Sequence, residues 1–161
     1  MDEATIRQMY DLLHMNMSQV IPSTMTKEEG YACWRKAFDE NLSSGTRHIL
    51  YQRRNILYGY ISYTIQESSS EIYWNEVQVH PRVKLNGTCF RELLSRFLSE
   101  IADCRADTVR TYANNLNRVS QALLQEIGFE RECQTERGVR YTISKAELMR
   151  RLGNLRRRHA Q

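Results

Sequence analysis

Residues 73–97 carry the pattern with the clearest chemistry in this sequence. Aromatic and β-branched residues first alternate with polar ones, which predicts a β-strand, and Pro81 ends the strand because proline has no N–H to donate. A basic loop with Lys84 and Gly87 follows, and apolar residues then recur at helical spacing from Phe90. Because a helix N-terminus offers unpaired N–H groups and a positive dipole, this order of elements predicts a site for a phosphate or pyrophosphate group.

The loop contains neither the GxxxxGK[ST] sequence of P-loops nor the three spaced glycines of a dinucleotide-binding turn. It resembles instead the cofactor loop of the GNAT superfamily of acyl-CoA-dependent N-acetyltransferases. That motif runs from a strand ending in Val-x-Pro, through [Gln/Arg]-x-x-Gly-x-[Gly/Ala], into an amphipathic helix. It stands here as Val79-His80-Pro81 and Lys84-Leu85-Asn86-Gly87-Thr88-Cys89, with Lys84, Leu85 and Cys89 departing from the commonest residues of the family.

A second stretch resembles the next motif of the same family, which is a strand, an Asn at a helix start and Gly-Phe at the helix end. A strand is predicted at residues 108–113, Asn117 opens a helix, and Gly128-Phe129 closes it. An ordinary helix capped by Asn and Gly would give the same pattern. The resemblance covers residues 49–143. The apolar face predicted for this helix consists of Val119, Leu123 and Ile127.

The resemblance implies that the protein binds acetyl-CoA as acyl donor. The backbone of residues 77–79 would pair with the pantetheine arm like a further strand, and the amides of residues 84–89 would hold the pyrophosphate. The Val79 N–H would stabilise the thioester oxygen, Gly87 would let the backbone approach closely, and Lys84 would add charge. An ordinary basic strand-to-helix loop is the alternative. The implied cofactor-binding residues are Val77, Gln78, Val79, Lys84, Leu85, Asn86, Gly87, Thr88, Cys89 and Asn117.

Proton transfer has several candidate residues. Many family members carry a Tyr seven residues after the Asn, and here that position holds Leu124, which cannot donate a proton. Tyr112, five residues before Asn117, and Glu76 on the cofactor strand are the predicted catalytic residues, Glu76 acting through a water if its pKa is raised. A packed tyrosine and a solvated glutamate are the alternatives. Cys89 at a helix start would suit a covalent acyl intermediate, but no His and Asp are recognisably paired with it.

The periodicity elsewhere predicts one α/β (α+β) domain with a GNAT-like, mostly antiparallel sheet flanked by helices. Two N-terminal helices are expected, the second opened by a capping box at residues 26–29, and no strand precedes the first. The domain is predicted to cover residues 1–149, with an Arg-rich helix at residues 144–161. The remaining strands are expected at residues 47–52, 56–66, 129–134 and 139–144. The predicted apolar faces consist of Ile6, Met9, Tyr10, Leu13 and Met17 in the first helix and Tyr31, Trp34, Phe38 and Leu42 in the second.

The length and composition are typical of a single globular domain and argue against a membrane protein or a metal-binding protein. A chain of 161 residues suffices for one sizeable core, no run approaches the roughly 20 apolar residues that span a bilayer, and no signal sequence is recognisable. The four cysteines form no CxxC pair or Cys/His cluster, so no metal site is expected. Reduced thiols in the cytoplasm are the simplest interpretation.

The net charge of +4 comes from the C-terminal end of the chain. Without the last five arginines, 18 of the 23 basic residues remain against 19 acidic ones, so a general nucleic-acid surface is not predicted. The tail is interpreted as a solvated helix end, as a polyanion or RNA contact, or as a contact to the 3′-phosphate of CoA. The five residues are Arg150, Arg151, Arg156, Arg157 and Arg158.

The predicted function is transfer of an acetyl group from acetyl-CoA to a primary amine by direct attack in a ternary complex, in a monomer or homodimer. The acceptor is a small molecule, a peptide N-terminus, a lysine or the amino group of an aminoacyl-tRNA. The absence of a Tyr at Leu124 favours a second hypothesis, a non-catalytic acyl-CoA-binding or interaction module of the same fold. A third hypothesis is a protein that binds RNA and no CoA.

Overall fold

A computed structural model describes residues 1–84 and 87–157, with side chains up to residue 153. The described residues form helices and strands in an order that begins with two helices. The helices are α1 (Glu3–Met17), α2 (Lys27–Ser43), α3 (Pro81–Lys84), α4 (Thr88–Ile101), α5 (Arg118–Ile127) and α6 (Lys145–Arg157). The strands are β1 (Arg47–Arg53), β2 (Ile56–Gln66), β3 (Glu71–Val79), β4 (Thr108–Asn114), β5 (Glu130–Gln134) and β6 (Gly138–Ser144).

The strands form one sheet in the order β1-β2-β3-β4-β6-β5. The pairs β1–β2, β4–β6 and β5–β6 are antiparallel, and β3–β4 is parallel. The predicted class, a mixed and mostly antiparallel sheet with helices, is therefore confirmed. The first element is α1, and no described residue forms a strand before it. No helix in the described part of the chain is both long and apolar enough to cross a membrane.

Contacts between residues divide the chain into two compact units. Unit 1 comprises Met1–Tyr63 and Glu76–Phe97, and unit 2 comprises Thr64–Asn75 and Leu98–Gln161. The single domain over residues 1–149 stays a prediction.

Unit 1 buries one face of α1 and part of α2 in its core. The predicted caps are present, since the Asp2 side chain accepts from Thr5 N–H and a capping box joins Thr26 and Glu29. Three residues of the predicted face of α1, Ile6, Met9 and Tyr10, are buried, and Leu12 is buried as well, while Leu13 is only partly buried. The expectation for Leu42 is wrong, as this residue near the end of α2 is 40% exposed. The core cluster consists of Ile6, Met9, Leu12, Phe38, Leu57 and Tyr60, with Trp34 and Leu50 packed against it.

Unit 2 contains α5. The sequence predicted its position and the burial of Ile127 correctly, but it did not predict the burial of Gln121 and Leu124. Asn117 accepts from Ser120 N–H at the start of α5, and Gly128 ends the helix with φ +108°. Val119 is 70% exposed, so its predicted place on the apolar face is wrong. Leu124 is buried instead of Val119, so the buried face of α5 is turned relative to the predicted one. The buried residues of α5 are Gln121, Leu124 and Ile127.

Candidate functional site

The segment from β3 to α4 has the predicted order of strand, loop and helix, with one addition. The loop contains the short helix α3, which Pro81 opens because its fixed φ suits a first helical position. His80 Nδ1 accepts from Arg82 N–H at 3.2 Å, so this histidine has a local structural bond. Gly87 lies in the left-handed region with φ +64°, and its carbonyl accepts from Arg91 N–H at 3.0 Å to begin α4. Leu85 and Asn86 lie outside the described residues.

Cys89 packs closely against β2. Its side chain is 1% exposed, and Sγ lies 3.6 Å from the Tyr58 carbonyl oxygen. Burial raises the pKa of the Cys89 thiol to about 11, with a smaller contribution from the charge of Glu92. A thiol with a raised pKa is a poor nucleophile at neutral pH, so the geometry argues against a covalent acyl intermediate on this residue.

Gly59 on β2 is what allows this close packing. A Cβ at Gly59 would lie 2.7 Å from Cys89 Sγ and 2.9 Å from the Gln78 carbonyl oxygen. Gly59→Ala is therefore expected to lower the free energy of unfolding by about 1–3 kcal/mol, because neither α4 nor β3 can move freely. Urea unfolding measures this change.

Gly153→Ala in α6 is the control for Gly59→Ala. No atom lies within 4 Å of a Cβ at Gly153, so this change is expected to stabilise the helix by roughly 0.5–1 kcal/mol. Equal effects of the two substitutions would contradict the tight packing of β2 against α4.

A pocket of about 280 Å³ adjoins the start of α4. The Arg53 guanidinium carbon lies 5.2 Å from the centre of the Tyr51 ring, which brings a cation to the pocket wall. A cation beside a helix N-terminus suits an anionic group. Arg53 lies in the β1–β2 hairpin, far from the loop in the sequence, so no local pattern indicated it. The pocket is lined by Tyr51, Arg53, Tyr58, Val83, Thr88 and Cys89.

The second half of β3 lies outside the ladder with β4. That ladder pairs Glu71–Trp74 with residues 108–111, and at its last pair the Thr111 hydroxyl donates to the Trp74 carbonyl at 2.8 Å. Further along, His80 N–H donates to the Tyr58 carbonyl of β2 at 2.8 Å. Because consecutive N–H groups of a strand point to opposite sides, the Val79 N–H points away from β2.

Glu76 lies in a polar cluster of unit 1. Its side chain shares a face of β3 with Gln78, whose Nε2 donates to Glu76 Oε1 at 3.1 Å. The Tyr60 hydroxyl, in a fully buried side chain of β2, faces this carboxyl without the geometry of a full hydrogen bond. Asn16 of α1 donates to Gln78 Oε1 at 2.8 Å and to the Val79 carbonyl at 3.2 Å.

Burial raises the pKa of Glu76 to about 7, an effect that Tyr60 and Gln78 partly offset. The carboxyl therefore titrates closer to neutral pH than an ordinary glutamate and is suited to accept and release a proton. The sequence did not indicate Tyr60 or Asn16. Neither lies near Glu76 in the chain, and no spacing pattern links residues on α1, β2 and β3.

Unit 2 contains the other predicted site residues, Tyr112 and Asn117. Tyr112 is 49% exposed, its hydroxyl lies 3.3 Å from the Thr135 hydroxyl, and its ring lies against Gly138, where a Cβ would be 2.5 Å from the ring. The Asn117 side chain accepts from Ser120 N–H at 3.1 Å as a helix cap. Leu124 is buried within the apolar face of α5. The remaining predicted residues, 76–79, 84 and 87–89, follow one another in unit 1.

Two arginines of the C-terminal segment are engaged within α6. Arg150 and Arg151 both pair with Glu147, and these bonds lower the pKa of this carboxyl to about 2. The Arg151 guanidinium also lies against Gly128 at the end of α5, where a cation interacts favourably with the helix dipole. The side chains of Arg156, Arg157 and Arg158 lie outside the described part of the structure.

Comparison with known proteins relates this geometry to one fold. A scan against protein-family models finds no match, and no curated protein matches the sequence. Among solved structures, the chain is similar to the PaiA N-acetyltransferase of Thermoplasma acidophilum in complex with coenzyme A, with 13% identity, a TM-score of 0.68, and 86% of this chain and 92% of that chain covered. It is similar to the spermidine/spermine N-acetyltransferase SpeG of Vibrio cholerae, with 16% identity, a TM-score of 0.62, and 94% of each chain covered.

A third similar structure is FdhC, a nucleotide-linked sugar GNAT, with 10% identity, a TM-score of 0.71, and 98% of this chain and 90% of that chain covered. These likenesses extend over most of each chain, and together with the strand order and the loop before α4 they confirm the predicted architecture. The chain has the fold of the GNAT N-acetyltransferases.

Proposed function

We propose that the protein is an N-acetyltransferase that moves an acetyl group from acetyl-CoA to a primary amine by direct attack in a ternary complex. The main support for this function is that three suitable groups lie together in residues 76–89. This one segment holds a carboxyl with a pKa near neutrality, strand backbone outside the β3–β4 ladder, and the N-terminus of a long helix. Those are the groups needed to accept a proton, hold a cofactor arm and bind a pyrophosphate.

The cofactor would be held by main-chain groups. The backbone of residues 77–79 would pair with the pantetheine arm, and the amides at Gly87, Thr88 and Cys89 would bind the pyrophosphate at the positive end of α4. Lys84 and Arg53 would add positive charge. The resemblance of the loop to the GNAT motif and the coenzyme A complex of PaiA support this assignment.

Two residues, Glu76 and Val79, supply the chemistry that the chain contributes once acetyl-CoA provides an activated thioester. Glu76, as carboxylate, accepts a proton from the acceptor ammonium directly or through a water, and the free amine then forms a C–N bond with the thioester carbon. The Val79 N–H donates to the carbonyl oxygen as negative charge develops there. Breakage of the C–S bond releases a thiolate, and the second proton of the attacking nitrogen reaches this thiolate through water.

Glu76 fits the role of general base better than Tyr112 does. The Tyr112 hydroxyl already lies within hydrogen-bond distance of Thr135 beside the β5–β6 turn, and the residue is 49% exposed. Glu76, by contrast, has an environment that brings its proton affinity close to the working pH. The acetylation of spermidine and spermine by the similar protein SpeG supports an amino group as acceptor.

Calorimetric titration with acetyl-CoA, CoA and ATP tests the cofactor assignment. We expect both CoA species to bind with dissociation constants of about 1–100 μM and ATP far more weakly, because ATP lacks the pantetheine arm that would pair with β3. Absence of binding by either CoA species would refute the proposal. Steep salt dependence of RNA binding in that case would favour an RNA-binding protein.

Release of the CoA thiol in the presence of an amine panel tests turnover. The panel contains polyamines, peptides with free N-termini or lysines, and an aminoacyl-tRNA. Many members of the resembled family carry a Tyr at the position of Leu124, which cannot donate a proton, and this is the observation behind the second candidate function, a module that binds acyl-CoA without turnover. CoA binding without thiol release from any amine would support that module. The four free cysteines fit the cytoplasm as the proposed location.

A further inference from the structure

A line of hydrogen bonds in unit 1 connects α1 to the Glu76 carboxyl. Asn16, in the last turn of α1, donates from Nδ2 to the Val79 carbonyl at 3.2 Å and to Gln78 Oε1 at 2.8 Å. Gln78 donates in turn from Nε2 to Glu76 Oε1 at 3.1 Å. Gln78 is 7% exposed, so solvent competes little for its amide group.

The direction of every bond in this line follows from one main-chain group. The Val79 carbonyl can only accept, so Asn16 must present its NH₂ group on that side. The same NH₂ group reaches Gln78, which must therefore turn its carbonyl oxygen towards Asn16. That leaves the NH₂ group of Gln78 facing Glu76, where it donates to the carboxyl.

A donor that faces a carboxyl favours its ionised form. Tyr60 of β2 and Gln78 of β3 both act on Glu76 in this direction, and burial opposes them. α1 contributes the neutral side chain of Asn16, which donates to Gln78, and Gln78 donates to Glu76. The balance between the ionised and the protonated form of Glu76 therefore depends on whether the NH₂ group or the carbonyl oxygen of the Gln78 amide faces the carboxyl.

We propose that Asn16 is a positioning residue that holds the Gln78 amide in its donating orientation and so keeps Glu76 ready to accept a proton. Without Asn16, Gln78 can turn its carbonyl oxygen towards Glu76, and that arrangement requires a proton on the carboxyl. The inference rests on the proposed function for its catalytic meaning, since Glu76 is the general base there. The orientation itself is a property of the folded protein without any ligand.

Asn16→Ala and Asn16→Asp test the proposal. Alanine removes the donor without adding charge. Aspartate accepts a hydrogen bond from Gln78, so the Gln78 amide turns its NH₂ group to residue 16 and its carbonyl oxygen to Glu76. We expect the pKa of Glu76 to rise in both variants, by about one unit or more for Asn16→Asp, which also adds a negative charge. Carboxyl carbon chemical shifts of ¹³C-labelled glutamate, followed by NMR in the free protein, measure the titration. The acid limb of kcat/KM for thiol release should move to higher pH by the same amount.

Gln8→Ala is the matched control on the same helix. Gln8 donates to the Asn55 carbonyl at 3.2 Å and accepts from Leu57 N–H at 2.8 Å. It therefore connects α1 to the β1–β2 hairpin and takes no part in the hydrogen bonds from Asn16 to Glu76. This variant should lose stability but leave the titration of Glu76 unchanged. An unchanged titration in both Asn16 variants, or an equal shift in Gln8→Ala, would overturn the proposal.

The two readouts separate this inference from the proposed function. A shifted Glu76 titration in protein that never turns over acetyl-CoA would support the role of Asn16 and refute the proposed acetyltransferase. Turnover with an unshifted titration would refute the role of Asn16 alone.

Discussion

Glu76→Gln is expected to lower kcat/KM for thiol release from acetyl-CoA with the best amine of the panel by about 10²–10⁴-fold. Glutamine keeps the size of the side chain and its contacts to Tyr60 and Gln78 but cannot take a proton from the acceptor ammonium. Affinity for CoA should stay within a few-fold of the wild-type value, because the pyrophosphate is proposed to bind at the start of α4 and not at Glu76. Steady-state kinetics and calorimetry on the same preparation measure both quantities.

The pH dependence of kcat/KM is a second test of Glu76 as the general base. Glu76, with a pKa of about 7, is protonated and inactive as a base at low pH. The wild-type kcat/KM should therefore rise as the pH increases through about 7 and then level off, and this acid limb should be absent from the residual activity of Glu76→Gln.

Glu71→Gln is the control on the same strand, since Glu71 pairs with Arg110 within unit 2 and has no proposed catalytic role. It should keep activity within a few-fold of wild type. Full activity of Glu76→Gln would refute its role as base, and a large loss in Tyr112→Phe instead would assign that role to Tyr112.

Stability should depend on Glu76 in the opposite sense to a surface carboxylate. Its pKa is higher in the folded protein, at about 7, than the ordinary value of 4.5, so the folded state binds more protons between these two values. The contribution of Glu76 to the free energy of unfolding is therefore greatest below about pH 4.5. It falls by roughly 1–3 kcal/mol as the pH rises from there to about 7. The difference in urea unfolding between wild type and Glu76→Gln across this pH range isolates the contribution.

Gly87→Glu is expected to weaken binding of acetyl-CoA and CoA by about 100-fold or more. A side chain at this position has to adopt φ +64°, and its carboxylate would occupy the positive end of α4, where the pyrophosphate is proposed to bind. Calorimetric titration measures the loss.

Gly45→Glu is the matched control for the backbone strain and the added charge. Gly45 has φ +87° after α2, and no atom lies within 4 Å of a Cβ there. This variant should be destabilised like Gly87→Glu but should bind CoA with wild-type affinity. Unchanged CoA affinity in Gly87→Glu would show that the loop before α4 is not the cofactor site.

Local patterns were sufficient to predict the elements of this fold. Alternation predicted the strand that ends at Val79, and the capping box at Thr26 and the cap at Asn117 marked where α2 and α5 begin. These signals lie within a few residues of one another, so the sequence shows them directly. The order of two such motifs was enough to predict the GNAT-like architecture, while the individual site residues stay predictions.

The sequence determined by itself where the strands and the longer helices lie and which loop precedes α4, because these features depend on neighbouring residues. Only the tertiary structure decided that Val119 is exposed, that Cys89 is too deeply buried to be a reactive thiol, and that Glu76 lies in a partly desolvated cluster. The bond from Asn16 to Gln78 joins residues 62 positions apart. Proton affinity depends on burial and on such distant partners, and neither is encoded in the local pattern that predicts a strand.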